Sequence, residues 1–350
     1  MADLAARTAP SRVGPERPDP VSGRAVKRAT TVGGPPAPRP AADRVGAGDE
    51  ARSGRATATR ILEVGVDRSF ERTDLVVGEE PLAIRACGPG QAPVEVAVTM
   101  RTPGDEVDLA LGFLYTEGLI EGPEVVEVTF GDPGRLRRPD DEVTVRLRRP
   151  LDLDRIAERR FVATAACGIC GKASIDEVAL RCPPLPAGTP IVEAAVLAEL
   201  PARLRAAQGT FELTGGLHAA ALFRPDGELV AIREDVGRHN AVDKLVGSQL
   251  RLGRLPLHDV LLLVSGRVSF EIVQKAAVAG IPVVAAISAP SDLAVDTAAR
   301  LGMTLVGFLR GGRCNVYVGP ERIRIGGPAS RGAGGSKPAT AHRSDSVAGR

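Results

Sequence analysis

Short runs of alternating hydrophobic and polar residues begin at Arg60–Val64 and continue for about 90 residues. Such alternation is typical of strands with one buried face, and the turn residues between the runs favour antiparallel pairing. A helix is predicted to start at Thr102-Pro103-Gly104-Asp105, with Thr102 as its N-cap, and to stop at Gly118. The further predicted strands of this α+β section are Leu75–Val77, Leu82–Ile84, Val94–Met100, Val125–Phe130 and Val143–Leu147.

Later in the chain, continuous apolar runs alternate with helical segments. A helix near Ala194–Ala207 precedes a hairpin of Leu217–Phe223 and Leu229–Arg233. Runs of Val, Ile and Leu that are each followed by a helix predict a buried and largely parallel sheet, which places this section in the α/β class. Its later predicted elements are strands Val260–Val264, Val283–Ile287, Thr304–Leu309 and Asn315–Val318, and helices Gly237–Leu250, Val268–Ala279 and Pro290–Leu301.

Composition and charge divide the chain further. Its 350 residues carry a net charge of +2, yet residues 1–60 hold eleven Lys or Arg against six acids. Residues 1–58 and 326–350 are basic, rich in Gly and Pro and without a hydrophobic period, so we predict two disordered tails. They flank an α+β section at 59–160 and an α/β section at 161–325. A polyanion-binding tail is the alternative, although the small net charge argues against a dedicated nucleic-acid binder.

The chain has no features of a membrane or secreted protein. No apolar run approaches the roughly 18 residues of a membrane span, and no secretory leader is evident. The five cysteines are an odd number, which argues against a disulfide framework and favours reduced thiols. We therefore expect a cytoplasmic protein without a membrane partner.

Three predicted strand ends carry residues suited to binding an anion. They are Ser265-Gly266-Arg267, Ser288-Ala289-Pro290-Ser291 and Phe308-Leu309-Arg310-Gly311-Gly312-Arg313, and a fourth candidate, Glu234 to Asn240, lies where a helix begins. Ligands of open α/β sheets collect at the carboxyl ends of the strands, where small residues, helix N-termini and Arg can hold phosphate. The alternative is that Gly and Ser merely cap tight turns. Three such ends on one edge favour a phosphate-bearing ligand, with the two-Arg segment as a flexible cationic loop.

A cysteine pair, Cys167-Gly168-Ile169-Cys170, is followed by Gly171 and Lys172. This spacing suits zinc ligation, disulfide exchange or a nucleophilic thiolate, and the spacing alone does not choose among them. Zinc lacks an obvious second ligand pair, and a thioredoxin-like site belongs after an early strand. An exposed thiolate of low pKa beside Lys172 suits a persulfide carrier. Residues 61–321 contain three lysines, Lys172, Lys244 and Lys275. Their presence among many arginines reflects either a requirement for a functional ammonium group or chance.

Five motifs, in order, resemble the formate dehydrogenase accessory sulfurtransferase family, FdhD, over roughly residues 61–325. They are Cys167-Gly-Ile-Cys-Gly-Lys, Thr214-Gly-Gly-Leu-His-Ala-Ala, Arg233-Glu-Asp-Val-Gly-Arg-His-Asn-Ala-Val-Asp-Lys, Ser265-Gly-Arg-Val-Ser-Phe-Glu-Ile-Val-Gln-Lys and Gly302-Met-Thr-Leu-Val-Gly-Phe-Leu-Arg-Gly-Gly-Arg. The resemblance implies a cytidine-deaminase-like three-layer α/β sheet in the C-terminal section, preceded by a smaller α+β section.

The resemblance also implies a function. The chain would be a sulfur carrier, a sulfurtransferase that takes persulfide sulfur from an IscS-type cysteine desulfurase. It would pass the sulfur to molybdenum bis(molybdopterin guanine dinucleotide), Mo-bisPGD, before this bound substrate enters the formate dehydrogenase catalytic subunit. Cys167 would carry the persulfide with Cys170 beside it, and Phe308, Leu309, Arg310, Gly311, Gly312 and Arg313 would bind Mo-bisPGD. A homodimer is an assembly that such a fold allows, while nucleic acid and a tightly held metal are not expected.

Two rival functions belong to other classes. A cofactor-binding chaperone would hold Mo-bisPGD without sulfur transfer. A zinc-dependent nucleotide hydrolase would need the H-x-E and P-C-x-x-C motifs of zinc deaminases, but His218 is followed by Ala219 and Ala220. For His218 and His239, cofactor contact and a structural hydrogen bond are equally open. Cys314 is expected to be a buried strand residue rather than a third transfer thiol.

Overall fold

A computed structural model describes residues 54–122, 124–131, 141–153, 156, 182–183 and 185–326. Cys167, Cys170 and Lys172 lie outside these described residues. None of the described helices is both long and apolar enough to cross a membrane.

The first section contains two separate sheets. Strands β1 (Ala56–Val64) and β2 (Ser69–Val77) form an antiparallel hairpin. A four-stranded sheet in the order β4-β3-β6-β5 contains β3 (Glu80–Cys87), β4 (Val94–Arg101), β5 (Val125–Phe130) and β6 (Glu142–Leu147). Helix α1 (Glu106–Thr116) shares a hydrophobic core with this sheet.

The start of α1 differs from the prediction. The helix begins at Glu106, preceded by Asp105 in the left-handed region at φ 60°, and Asp105 makes no side-chain cap. Thr102 is occupied elsewhere: its hydroxyl accepts a hydrogen bond from the Val236 amide at 3.1 Å, and its own amide donates to Asp235 at 3.1 Å. Thr102 therefore joins the two sections instead of capping the helix.

The second section is built on a six-stranded sheet. Its strands are β8 (His218–Phe223), β9 (Leu229–Asp235), β10 (Leu261–Val264), β11 (Val283–Ala286), β12 (Thr304–Arg310) and β13 (Arg313–Val318), in the order β13-β12-β11-β10-β8-β9. The prediction of a largely parallel sheet is wrong, because only β10, β11 and β12 pair in parallel. Strand β8 pairs antiparallel with both β9 and β10, and β13 pairs antiparallel with β12.

Helices cover both faces of this sheet, because its short strands are apolar on both sides. Helices α4 (Arg238–Arg251), α5 (Phe270–Val278) and α6 (Asp292–Arg300) share a core with one face. Helix α2 (Ala194–Ala207) packs on the other and is followed by the short α3 (Gly209–Thr214). Strand β7 (Val192–Glu193) pairs in parallel with β14 (Ile323–Arg324). This is a mixed α/β fold; its cytidine-deaminase-like arrangement stays a prediction.

The two sections meet where helices α1 and α4 cross backbone to backbone. A Cβ at Gly112 would lie 1.8 Å from the carbonyl oxygen of Asp243, and a Cβ at Gly247 would lie 1.9 Å from that of Asp108. Any side chain at either position would push the helices apart, so the crossing depends on glycine.

Two buried lysines join the sections on either side of this crossing. The Lys244 Nζ lies 2.7 Å from Asp235 and donates to the Thr102 carbonyl at 2.8 Å. The Lys275 Nζ lies 2.9 Å from Asp243 and 3.1 Å from Glu117. Burial alone would lower the pKa of Lys275, but these two carboxylates raise it above its usual value. Lys244 and Lys275 therefore have structural roles, which neither a functional ammonium nor chance describes.

Candidate functional site

The carboxyl ends of β10, β11 and β12 lie side by side, because the three strands are parallel and in register. The turns after β10 and β11 are linked by two backbone hydrogen bonds, Val268 N to Ala289 O at 3.1 Å and Ser291 N to Val268 O at 2.9 Å. The Phe308 amide donates to Ser288 O at 3.0 Å and links the third strand end to the second. The three strand ends chosen from the sequence therefore form one continuous edge.

The serine hydroxyls at this edge have structural roles. Ser265 Oγ accepts a hydrogen bond from the Ala219 amide at 2.9 Å, which ties β10 to β8. Ser291 Oγ accepts from the Ala294 amide at 3.2 Å and caps α6. The turn-capping interpretation holds for Ser291, whereas Ser265 links two neighbouring strands.

The segment Phe308–Arg313 is a tight hairpin, and the expectation of a flexible loop is wrong. Strand β12 extends to Arg310, β13 starts at Arg313, and these two residues pair. Gly311 and Gly312, at φ 60° and 73°, are the whole turn, as in two-residue hairpins with left-handed central residues. A Cβ at either glycine would meet nothing within 4 Å, so the turn projects into open space.

The side chains of this hairpin divide into buried and exposed groups. Leu309 is buried in the core beneath α2, so it can offer a ligand only its main chain. Arg310 and Arg313 are exposed, and neither forms an ion pair with any described residue. The Arg310 guanidinium lies 5.4 Å from the Phe308 ring centroid. Phe308 itself adopts φ 51°, a costly conformation for a residue other than glycine. Two guanidinium groups at a fixed turn are suited to phosphate.

The fourth predicted anion site is largely structural. Glu234 accepts hydrogen bonds from the Thr210 and Phe211 amides at 3.1 and 3.0 Å. Asp235, fully buried, is held by Lys244 and by the Gly237 amide at 2.8 Å. This leaves Arg238, in the first turn of α4, with a buried Nε that has no hydrogen-bond partner in the described part of the chain.

Two histidines lie close to Arg238. Gly266 approaches His218 so closely that a Cβ there would lie 3.2 Å from the His218 Nδ1. Burial lowers the pKa of His218, and the charges of Arg238 and His239 lower it further. His239 Nε2 lies 2.7 Å from Glu271 Oε2 and 3.1 Å from Ser269 Oγ. The hydrogen bond from His239 holds the pKa of Glu271 below its usual value.

Glu271 lies within the Ser265 motif, and its sequence context indicates no role for it. The Glu271 carboxylate contacts His239, which the sequence did indicate as a candidate. Only the packing of α5 against α4 brings these two residues together. A glutamate two residues after a serine offers no pattern that could have indicated this pairing.

The described cysteines lack the chemistry of a sulfur carrier. Cys87 is buried, burial raises the pKa of Cys182 to about 11, and it also raises the pKa of Cys314. Cys182 and Cys314 are therefore protonated at neutral pH and poor nucleophiles. Half-buried Cys314 packs beside the core from β13, close to its expected role. Cys167 and Cys170 lie outside the described residues. Within the described ranges, no three His, Cys, Asp or Glu side chains form a group that could hold a metal ion.

Comparison with known proteins agrees with the motifs. The sequence profile of the FdhD/NarQ family matches residues 77–324. The chain is 50% identical over 277 residues to the sulfur carrier protein FdhD of Nocardia farcinica, covering 78% of this chain and 96% of that protein. It is 50% identical over 286 residues to the protein of the same name from Streptomyces avermitilis, covering 80% and 100%.

A solved structure is also similar. It is that of a protein named as a formate dehydrogenase accessory protein from Desulfotalea psychrophila, with a TM-score of 0.59 and 26% sequence identity. The match covers 77% of this chain and 99% of that one. The profile match and the relatives at 50% identity show that the chain belongs to the FdhD/NarQ family.

Proposed function

We propose that the protein is a sulfur carrier required for formate dehydrogenase activity. It takes sulfur from an IscS-type cysteine desulfurase and delivers it to Mo-bisPGD, its bound substrate, before insertion into the formate dehydrogenase catalytic subunit. The names of the relatives support the sulfur-carrier role. The observation that carries the proposal is the pair of exposed guanidinium groups flanking the Gly311–Gly312 turn, which form no ion pair with a described residue and suit the phosphates of a nucleotide end.

The sulfur chemistry is assigned to Cys167. Its thiolate attacks the terminal sulfur of the desulfurase persulfide, and the desulfurase thiolate leaves, so the step exchanges one S–S bond for another without net oxidation. The raised pKa values of Cys182 and Cys314 support this assignment, because those thiols are poor competitors for the role.

Cys170 is assigned the release of sulfur. Once Mo-bisPGD is bound, the Cys170 thiolate attacks the Cys167 Sγ, expels the terminal sulfur as hydrosulfide for delivery to the substrate, and leaves a Cys167–Cys170 disulfide. The two thiols supply the two electrons that convert sulfane sulfur to sulfide, and a cellular dithiol restores them.

The experiment is intact-mass measurement after incubation with a cysteine desulfurase and cysteine, with and without reductant. We expect a reductant-sensitive gain of one sulfur that is lost in Cys167→Ala and kept in Cys314→Ala. Cys170→Ala should load sulfur but retain it. No gain in the unmodified protein, beside an active desulfurase, would overturn the sulfur-carrier proposal and favour a chaperone that binds Mo-bisPGD without sulfur transfer. That rival also requires Cys167→Ala to support full formate dehydrogenase activity.

A further inference from the structure

Four charged or titratable side chains lie at the same edge of the sheet as the three strand ends. Strand β8 runs antiparallel to β10, so His218 at its start lies beside the turn that follows β10. Arg238 and His239 form the start of α4, and Glu271 lies in the first turn of α5. The sulfur chemistry proposed above uses none of these four residues.

Gly266 brings the turn after β10 against this cluster. A Cβ at Gly266 would lie 3.2 Å from the His218 Nδ1 and 3.7 Å from the Arg238 Cδ, so a residue without a side chain lets the main chain approach both groups. Strand β11 separates β10 from β12, which places this turn about 10 Å, two inter-strand spacings, from the Phe308–Arg313 hairpin. The cluster is therefore within reach of an extended ligand bound at the hairpin.

Arg238 supplies a cation that makes no ion pair with any described residue. The side chain is half-buried, and its Nε is buried without a hydrogen-bond partner in the described part of the chain. A buried donor left unpaired costs free energy unless a partner binds it. Because a guanidinium group matches the oxygens of phosphate with two parallel hydrogen bonds, phosphate is a suitable partner for Arg238.

Glu271 fixes the orientation and the tautomer of His239. The His239 Nε2 lies 2.7 Å from the Glu271 Oε2, and this hydrogen bond holds the pKa of Glu271 below its usual value. An ionised carboxylate only accepts hydrogen bonds, so Nε2 carries a hydrogen. The other ring nitrogen, Nδ1, accepts when the ring is neutral and donates when the ring is protonated. Only the protonated ring can therefore donate to a phosphate through Nδ1.

The other charged groups around His239 are neutral or paired. Burial and the charge of Arg238 lower the pKa of His218, so His218 is neutral at neutral pH. The charged residues that α1, α4, α5 and β9 contribute nearby are held in ion pairs. These pairs are Asp235 with Lys244, Lys275 with Asp243 and Glu117, and Asp108 with Arg233 and Arg251. Protonation of His239 is therefore the step that changes the charge of the cluster near neutral pH.

We propose that Arg238 and protonated His239 form a second phosphate-binding point on the strand-end edge, and that Glu271 is the positioning residue for His239. The proposal rests on the function proposed above, because Mo-bisPGD carries phosphate on two nucleotide arms. The hairpin arginines bind one phosphate group, and Arg238 with His239 binds another, about 10 Å away. Binding at this second point strengthens as the solution becomes more acidic.

Calorimetry with inorganic pyrophosphate on the full chain tests the proposal. Arg310→Gln with Arg313→Gln first removes the hairpin contribution. In that background Arg238→Gln should weaken the remaining binding about tenfold. The affinity relative to that of His239→Gln should rise about tenfold as the pH falls from about 8 to about 6, and this ratio cancels the titration of pyrophosphate itself. Glu271→Gln should move this rise to more acidic solution, because the charged ring loses its carboxylate partner.

Arg254→Gln and Glu199→Gln are the matched controls, because they remove the same charges from exposed positions on the opposite edge and on α2. Neither should change the binding. A ratio that stays constant with pH, or an equal loss in Arg254→Gln, would overturn the proposal. GDP binding that needs Arg310 and Arg313 but neither Arg238 nor His239 would also overturn it and leave the proposed function standing.

NMR of ¹⁵N-labelled histidine in the unmodified protein keeps the test valid if a variant misfolds. The chain has four histidines. Pyrophosphate should shift the Nδ1 signal of His239 and leave that of His258, which precedes β10 at the opposite edge, unchanged. An unchanged His239 signal would contradict the second binding point.

Discussion

At the scale of single residues, Arg310 and Arg313 contribute most to the candidate site. They occupy paired strand positions across a two-glycine turn, so little backbone freedom would be lost if a ligand bound. Leu309, between Phe308 and Arg310, anchors the segment in the core. Leu309 therefore fixes the turn, and the exposed side chains of Arg310 and Arg313 are the groups available to a ligand.

We predict that Arg310→Ala and Arg313→Ala each weaken GDP binding about tenfold, the usual effect of losing one charged hydrogen bond. GDP serves as the probe for the nucleotide end, and calorimetry at fixed salt is the measurement. The control is Arg254→Ala, an exposed arginine that precedes β10 at the opposite edge of the sheet. Equal losses in the control and the hairpin variants would contradict the site.

Cysteine reactivity gives a second prediction at this scale. In the native protein near pH 7, iodoacetamide should leave Cys87, Cys182 and Cys314 unmodified, because Cys87 is buried and burial raises the pKa of the other two. All three should react after unfolding. Peptide mass mapping measures both states, and alkylation of native Cys182 as fast as that of free cysteine would contradict the prediction.

The buried ion pair of Lys275 and Asp243 gives a third prediction at the residue scale. Lys275→Met should lower the free energy of unfolding by about 3–5 kcal/mol, because it leaves a buried carboxylate without its partner. The raised pKa of Lys275 means that its ammonium is fully charged at neutral pH, and its contribution is lost as strongly alkaline conditions deprotonate the lysine. Denaturant unfolding measures the loss. Replacing both residues, as Lys275→Met with Asp243→Leu, should recover most of it.

Among the elements, the crossing of α1 and α4 has the strictest steric requirement. Gly112→Ala or Gly247→Ala would place a methyl group less than 2 Å from a carbonyl oxygen of the facing helix. We expect each to cost at least about 3 kcal/mol, the upper end for overpacking. The control is Gly209→Ala, because a Cβ there meets nothing within 4 Å. Thermal unfolding measures the difference, and equal melting temperatures for all three variants would contradict it.

The sequence predicts most elements but not their partners. Helix Ala194–Ala207 and the β8–β9 hairpin follow from local periodicity and turn residues, which need no knowledge of the rest of the chain. The position of β8 between β9 and β10 depends on which apolar faces meet, and no local pattern records this. Thr102 resembles an N-cap locally, but its partner Val236 is 134 residues away.

For the molecule as a whole, the sequence predicted that the strand ends form one edge of the sheet. It did not predict that the segment Phe308–Arg313 on this edge is a tight hairpin. Buried parallel strands indicate where a ligand collects, so Ser265, Ser288 and Phe308 were correctly expected to lie together. The tight turn at Gly311–Gly312 required knowing that Arg310 and Arg313 pair. Lys244 and Lys275 form buried ion pairs instead of contributing to the site. The sequence could not show this, because a lysine in a buried ion pair and a functional lysine have the same sequence signature.

Helix α4 has one further consequence. Its first turn holds Arg238 and His239 beside the strand ends, and Gly247, about 14 Å further along its axis, lies against the main chain of α1. Side chains can change rotamer to absorb a small displacement between two helices, but two backbones in direct contact cannot absorb it in this way. We therefore expect a displacement of the first section to move α4 as a rigid body and to shift Arg238 and His239 beside the strand ends.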